Sequence, residues 1–119
     1  MKKLTSKSLY SLLSMKNKNA LVIGGAGYLG KAMSQTLLEL GANVIVASRN
    51  KQKGKQALIE LKKNSTKNKK ILFYQVDITN KQSLNDLKNF VSKKFNKKLD
   101  VLINCGWSGK KNTFESIND

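Results

Sequence analysis

The chain has 119 residues, enough for one domain of ordinary size and too few for two, and its apolar 39% gathers in runs as a packed core requires. One cysteine and no histidine exclude an internal disulfide, a histidine-based metal site and a Ser-His-Asp triad, and no metal ligand set is expected. The formal charge of +16 raises polyanion binding as a possible function, because lysines release counterions from nucleic acid.

The distribution of that charge argues against it. Lysines spread from Lys2 to Lys111, in pairs such as Lys62-Lys63 and Lys97-Lys98, and Arg49 is the single arginine. Base reading favours the arginine fork, which is nearly absent here. The charge is read as a solvated surface, and a nucleic-acid partner is not expected.

Residues 1–18 read as a basic lead-in. Leu9, Leu12 and Leu13, interrupted by Ser8, Ser11 and Ser14, suit one or two helical turns. The segment makes a poor signal peptide and is too short to cross a membrane, so a cytoplasmic, membrane-free protein is expected. Ala20–Ile23 is a short apolar run ending in glycines, the pattern of a buried parallel strand. A helical stripe follows through Leu29, Ala32, Met33, Leu37 and Leu40, stopped by Gly41. A second strand covers Asn43–Ala47, and a polar helix from Lys51 to Lys63 carries Ala57, Leu58 and Leu61. After a charged loop to Lys70 comes a third strand, Ile71–Val76. Thr79 and Gln82 fit a capping box before a helix striped by Leu84, Leu87, Val91 and Phe95. The fourth strand is Leu99–Asn104. A loop to Asn112 and a further helix opening at Thr113 complete the chain. This alternation predicts an α/β fold: residues 19–119 as one unit, an incomplete parallel sheet of about four strands with right-handed crossovers.

The turn between the first strand and first helix, Gly24-Gly-Ala-Gly27-Tyr28-Leu29-Gly30, is where the chemistry concentrates. Gly24 permits a tight turn, Gly27 leaves the backbone bare for a phosphate, and Gly30 lets the helix pack close to the strand. Free N–H groups and the helix dipole then face a pyrophosphate. At the tip of the second strand, where a carboxylate would grip a ribose 2′-OH, stand Ser48, Arg49 and Asn50. Ser48 can donate to a 2′-phosphate and Arg49 can pair with it, so NADP(H) is favoured over NAD(H).

The chain resembles the N-terminal half of the short-chain dehydrogenase/reductase family, from about Asn19 to Asp119. The resemblance rests on the glycine turn, on Val76-Asp77-Ile78-Thr79 after the third strand, and on Leu99-Asp-Val-Leu-Ile-Asn104-Cys105-Gly106 at the fourth. It implies a Rossmann-type sheet with helices on both faces. It also implies that Asp77 and Ile78 hold the adenine, and that Asn104, Cys105 and Gly106 lie beside the cofactor. The glycine spacing is usual in the extended branch of the family, while the fourth strand and the Ser48-Arg49 tip suit the compact, single-domain branch. Cys105, Gly106 and Trp107 stand where the family has Asn, Ala and Gly.

In that family a Tyr-x-x-x-Lys pair transfers the proton that accompanies the hydride. Residues four beyond Tyr10, Tyr28 and Tyr74 are Ser14, Ala32 and Ile78, so no catalytic residue is assigned. The expectation is an NADP(H)-binding portion of an oxidoreductase, inactive alone, whose partners are the dinucleotide and either the absent C-terminal half or a second copy. A cofactor sensor without chemistry and a basic scaffold for an anionic polymer are the alternatives.

Overall fold

A computed structural model describes residues 5–65 and 70–106. The readings made above for Trp107, for the loop to Asn112 and for a helix from Thr113 lie outside those residues. The elements run α1 (Ser6–Leu13), β1 (Asn19–Ile23), α2 (Tyr28–Glu39), β2 (Asn43–Ser48), α3 (Lys51–Asn64), β3 (Ile71–Gln75), α4 (Lys81–Lys94) and β4 (Val101–Asn104). The four strands are all parallel, in the order β3-β2-β1-β4.

The apolar strand runs are explained by burial on both faces. On one face Val22, Val44 and Val46 pack with Leu38 and Leu61 of α2 and α3. On the other, Leu21, Ile45 and Ala47 meet Val76 and, from α4, Leu87 and Val91. Tyr74 and Phe90 stack at 4.4 Å between centroids, fastening α4 to β3. The chain therefore places α2 and α3 on one side of the sheet and α4 on the other. Crossing from β3 at one edge to β4 beyond β1 leaves a switch point where the β1 connection and the β4 connection diverge.

The strand bases are tied by polar groups. The Asn19 amide N–H donates to Asp100 Oδ2 at 2.8 Å, its side-chain Nδ2 donates to the Lys98 carbonyl at 2.9 Å, and its Oδ1 accepts from Asn43 Nδ2 at 3.0 Å. One asparagine thus joins β1, β2 and the approach to β4 at the end away from the glycine turn.

Three local expectations are corrected. The buried side of α2 is Gly30, Ser34, Leu37 and Leu38, while Leu29 is 58% exposed and Ala32 faces solvent. The helix is rotated because Gly30, the residue with no side chain, must sit against the turn, and that fixes the rest of the face. Thr79 and Gln82 form no capping box. Asn80 caps α4 by accepting from the Ser83 N–H, while Thr79 donates to Asp77 and Gln82 to Asp86. β4 begins at Val101, because Leu99 and Asp100 still belong to the approach held by Asn19. The lead-in does form a short helix, α1, capped by Thr5 and burying none of its residues.

Candidate functional site

The carboxyl ends of β1 and β2, the N-terminal ends of α2 and α3 and the segments after β3 and β4 enclose a cleft of about 880 Å³. It lies at the switch point, where open α/β sheets have room for a ligand because adjacent connections turn opposite ways. The Gly24 N–H donates to the Ala47 carbonyl at 2.7 Å, and the Cys105 N–H donates to the Ile23 carbonyl at 2.8 Å. The tips of β1, β2 and β4 are thereby held side by side.

Gly24 has φ +77°, and a Cβ there would lie 2.7 Å from both the Cys105 carbonyl carbon and the Gly106 nitrogen. Only glycine satisfies both the backbone and the neighbour. Gly30 is the point of closest approach between α2 and the turn, because its Cβ would fall on the backbone of Gly24 and Gly25. The contact is with the turn itself, which refines the helix-to-strand role expected from sequence. Gly27, the N-cap of α2, is different: a Cβ there meets only the Gly24 carbonyl oxygen, at 3.4 Å. That open space borders the cleft.

At the β2 tip, Ser48 Oγ is buried and, among the described residues, has no hydrogen-bond partner. Orphaned buried hydroxyls cost free energy unless a ligand or water satisfies them. Ser48 keeps its backbone carbonyl bonded to the Val76 N–H, and the Arg49 carbonyl accepts from Gln75 Nε2, so the tip is held through its own main-chain carbonyls. Arg49 and Asn50 are exposed to the cleft, and Asn50 caps α3 by accepting from the Lys53 N–H.

Across the cleft, Asp77 accepts from Thr79 twice, from the hydroxyl at 2.6 Å and from the amide at 3.0 Å. Those bonds, hydroxyl first, hold its carboxyl below the ordinary value of 3.8. Burial works weakly against them and Arg49 adds a smaller favourable charge. The Asp77 N–H donates to Ser83 Oγ, fixing this segment onto α4.

Of the residues singled out from sequence, Gly24, Gly27, Tyr28, Ser48, Arg49, Asn50, Asp77, Ile78, Cys105 and Gly106 border the cleft. Leu29, Gly30 and Asn104 do not. Gly30 is buried behind the turn, and Asn104 turns its Oδ1 to the Gly106 N–H. Sequence reasoning missed Lys31, Lys53, Ala57 and Glu60. Lys53, Ala57 and Glu60 recur at four- and three-residue steps on α3, and Ala57 reads from sequence only as part of that helix's apolar face. Lys31 Nζ and Glu60 Oε2 pair at 2.9 Å between α2 and α3, closing one wall.

The short chain dehydrogenase family model matches residues 18–119. The chain is 39% identical over 93 residues to a short chain dehydrogenase/reductase, dpfgG, of Gibberella zeae, covering 78% of this chain and 33% of that one. It superposes on L-sorbose reductase of Gluconobacter frateurii, solved with NADPH and L-sorbose, with a TM-score of 0.74 at 20% identity, over 90% of this chain and 40% of the other. An NAD+-bound xylitol dehydrogenase gives 0.66 at 23% identity, over 74% and 32%. The chain spans about a third of the length of most of the curated relatives it matches. With its parallel sheet, glycine turn and Asp77 and Asn104 segments, the chain belongs to the short-chain dehydrogenase/reductase family and represents part of its N-terminal region.

Proposed function

We propose that this chain holds NADP(H) and supplies the cofactor-binding portion of an oxidoreductase, with no turnover by itself. Neighbours of the same fold bind either nicotinamide dinucleotide, so the choice rests on the β2 tip. The observation that carries the reading is the unsatisfied Ser48 hydroxyl, beside Arg49 and with no carboxylate on the tip. A 2′-phosphate answers both groups, as acceptor for the hydroxyl and counter-charge for the guanidinium.

The remaining residues fit the rest of the molecule. Tyr28 and Leu29 offer N–H groups at the start of α2 to the pyrophosphate, and Gly27, whose own N–H is held by the Gly24 carbonyl at 3.1 Å, gives it room. Gly24 and Gly30 shape that turn. Asp77 and Ile78 would flank the adenine, and Cys105 and Gly106 the nicotinamide side, with Asn104 behind them holding the Gly106 N–H. When bound, the dinucleotide supplies a hydride donor or acceptor. The acid-base pair that would complete the reaction is not among these residues.

The test is a pair of titrations by intrinsic or cofactor fluorescence. NADPH should bind at least tenfold more tightly than NADH, and Ser48→Asp should reverse the order by placing a carboxylate against the 2′-phosphate. Equal affinities in the unaltered chain would refute the NADP(H) assignment. Oxidation of NADPH by the chain with a carbonyl compound would refute its inactivity.

A further inference from the structure

The base of the sheet, at the end away from the cleft, gathers lysines that the sequence scatters. Lys18 precedes β1, Lys70 precedes β3 and Lys98 lies just before β4, and hydrogen bonds to their carbonyls hold all three at one end. The Lys18 carbonyl accepts from the Asn43 N–H at 2.9 Å, the Lys70 carbonyl from the Val44 N–H at 3.0 Å, and the Lys98 carbonyl from Asn19 Nδ2 at 2.9 Å. All three residues are exposed, as is Lys16. Between parallel strands each helix must return to the base, so α3 and α4 bring Lys62, Lys63, Lys93 and Lys94 there in their last turns. The carboxylates at that end are engaged: Glu39 accepts from Gln35 Nε2, and Asp100 from the Asn19 N–H.

The same end carries α1. The Met15 N–H donates to the Leu40 carbonyl at 2.7 Å and the Met15 side chain packs on the core, which ties the end of α1 to the approach to β2. Tyr10, Ser11 and Ser14 border a hollow there with Gly41, Asn43 and Lys70. At about 100° per residue, Leu9, Leu12 and Leu13 fall on the opposite side of the helix. They are 44%, 71% and 57% exposed. Residues 1–18 include Lys2, Lys3, Lys7, Lys16 and Lys18 and no acidic residue.

Lysines alone would suit any polyanion. Leu9, Leu12 and Leu13 add an apolar demand that a nucleic acid backbone does not meet. A bilayer of anionic lipids answers both, with headgroup charge for the lysines and an acyl boundary for the leucines. Among the described residues no helix is long and apolar enough to cross a membrane. Lying on one requires only an exposed apolar face flanked by cations.

We propose that α1 and the basic base of the sheet form a membrane-surface site. In it α1 lies in the headgroup boundary of an anionic bilayer through Leu9, Leu12 and Leu13, while the lysines at the base face the headgroups. The site is separate from the cleft, so it stands whether or not the NADP(H) reading does. The cleft opens at the opposite end of the sheet and stays accessible from water.

The experiment floats the full chain with vesicles of phosphatidylcholine alone and of phosphatidylcholine with one-third phosphatidylserine, at low and high salt. The phosphatidylserine vesicles should bind at least tenfold more tightly, and high salt should release the chain. Leu12→Ala with Leu13→Ala should weaken that binding at least tenfold. Lys16→Gln with Lys18→Gln should weaken it about fivefold for each lysine. Thermal melts and NADPH titrations, unchanged in both pairs, confirm the fold. Amide exchange on the unaltered chain, which needs no variant, should slow across residues 6–13 only with the phosphatidylserine vesicles. No flotation with phosphatidylserine would overturn the proposal, as would equal binding to both vesicles. Binding that ignores the leucine change would remove α1 from the site and sink the proposal too. Affinity for duplex RNA that depends on Lys16 and Lys18, with vesicles left unbound, would make the partner a nucleic acid and refute the lipid site.

Discussion

Gly30 and Gly27 lie three residues apart in one motif, yet the structure assigns them different work, and a pair of alanine substitutions separates them. In Gly30→Ala the new methyl carbon would overlap the Gly24 carbonyl oxygen and lie 2.6 Å from Gly25 Cα and 2.8 Å from the Gly24 carbonyl carbon. All three obstacles are backbone atoms, so no rotamer change removes them and the turn itself must shift. Overpacking of this kind costs about 1–3 kcal/mol. Alanine returns about 0.5–1 kcal/mol through its better helix propensity. The net loss, centred on about 1 kcal/mol, corresponds to a melting temperature lower by roughly 4–8 °C in a chain of this size. In Gly27→Ala the backbone, at φ −77° and ψ 172°, accepts alanine, and the methyl meets one oxygen at 3.4 Å. Stability should stay within about 0.5 kcal/mol. The methyl occupies the space through which a phosphate would approach the turn, so dinucleotide affinity should fall at least tenfold. Thermal melts with and without NADPH read both quantities at once. If Gly27→Ala melts as low as Gly30→Ala, or keeps full affinity, the division of roles between the two glycines is wrong.

Other predictions follow from the same geometry. Asn80→Ala should destabilise the chain by about 1 kcal/mol through loss of the α4 cap, measured by urea unfolding. Thr79→Ala should instead raise the Asp77 pKa in an NMR titration, an effect that a Thr79 capping box would not produce. Because the Asp77 carboxyl is held below its ordinary 3.8, its contribution is present above that value and lost as pH falls through the lower folded one. The stability gap between the unaltered chain and Asp77→Asn should therefore be constant from neutral pH to about 4.5 and shrink below about pH 4; a gap growing on acidification would contradict this. Leu102, 60% exposed on the open side of β4, should tolerate lysine within about 0.5 kcal/mol while light scattering at high protein concentration decreases.

The strands were legible because parallel strands buried on both faces must be apolar almost without a break. Leu21-Val22 and Val44-Ile45-Val46 feed opposite cores in alternation and could hardly read otherwise. The glycine turn was legible because sterics leave few residues able to occupy it. The face of α2 was not. Its apolar count is nearly even around the helix, and the deciding contact is a small residue against a turn, which periodicity does not weigh. Asn80 was missed for a similar reason: Thr79, Asn80 and Gln82 are all capping residues, and only the competing bond from Thr79 to Asp77 selects Asn80. The second wall of the cleft, Lys31 with Glu60, joins residues 29 apart in the chain, so no local pattern announced it.

The asparagine at the base of the sheet acts as a ruler for the opposite end. Parallel strands rich in valine and isoleucine carry little information about register, since sliding by two residues restores the same faces. Asn19 removes that freedom by holding Asn43, Lys98 and Asp100 at one level, as the first residue of a β1 only five residues long. A shift of a single residue would carry the β4 tip about 3.3 Å along the sheet. Such a shift would carry Cys105 and Gly106 away from Gly24, whose missing side chain they abut. The alignment of the cleft is thus set some distance from the cleft, by a side chain that no ligand would touch.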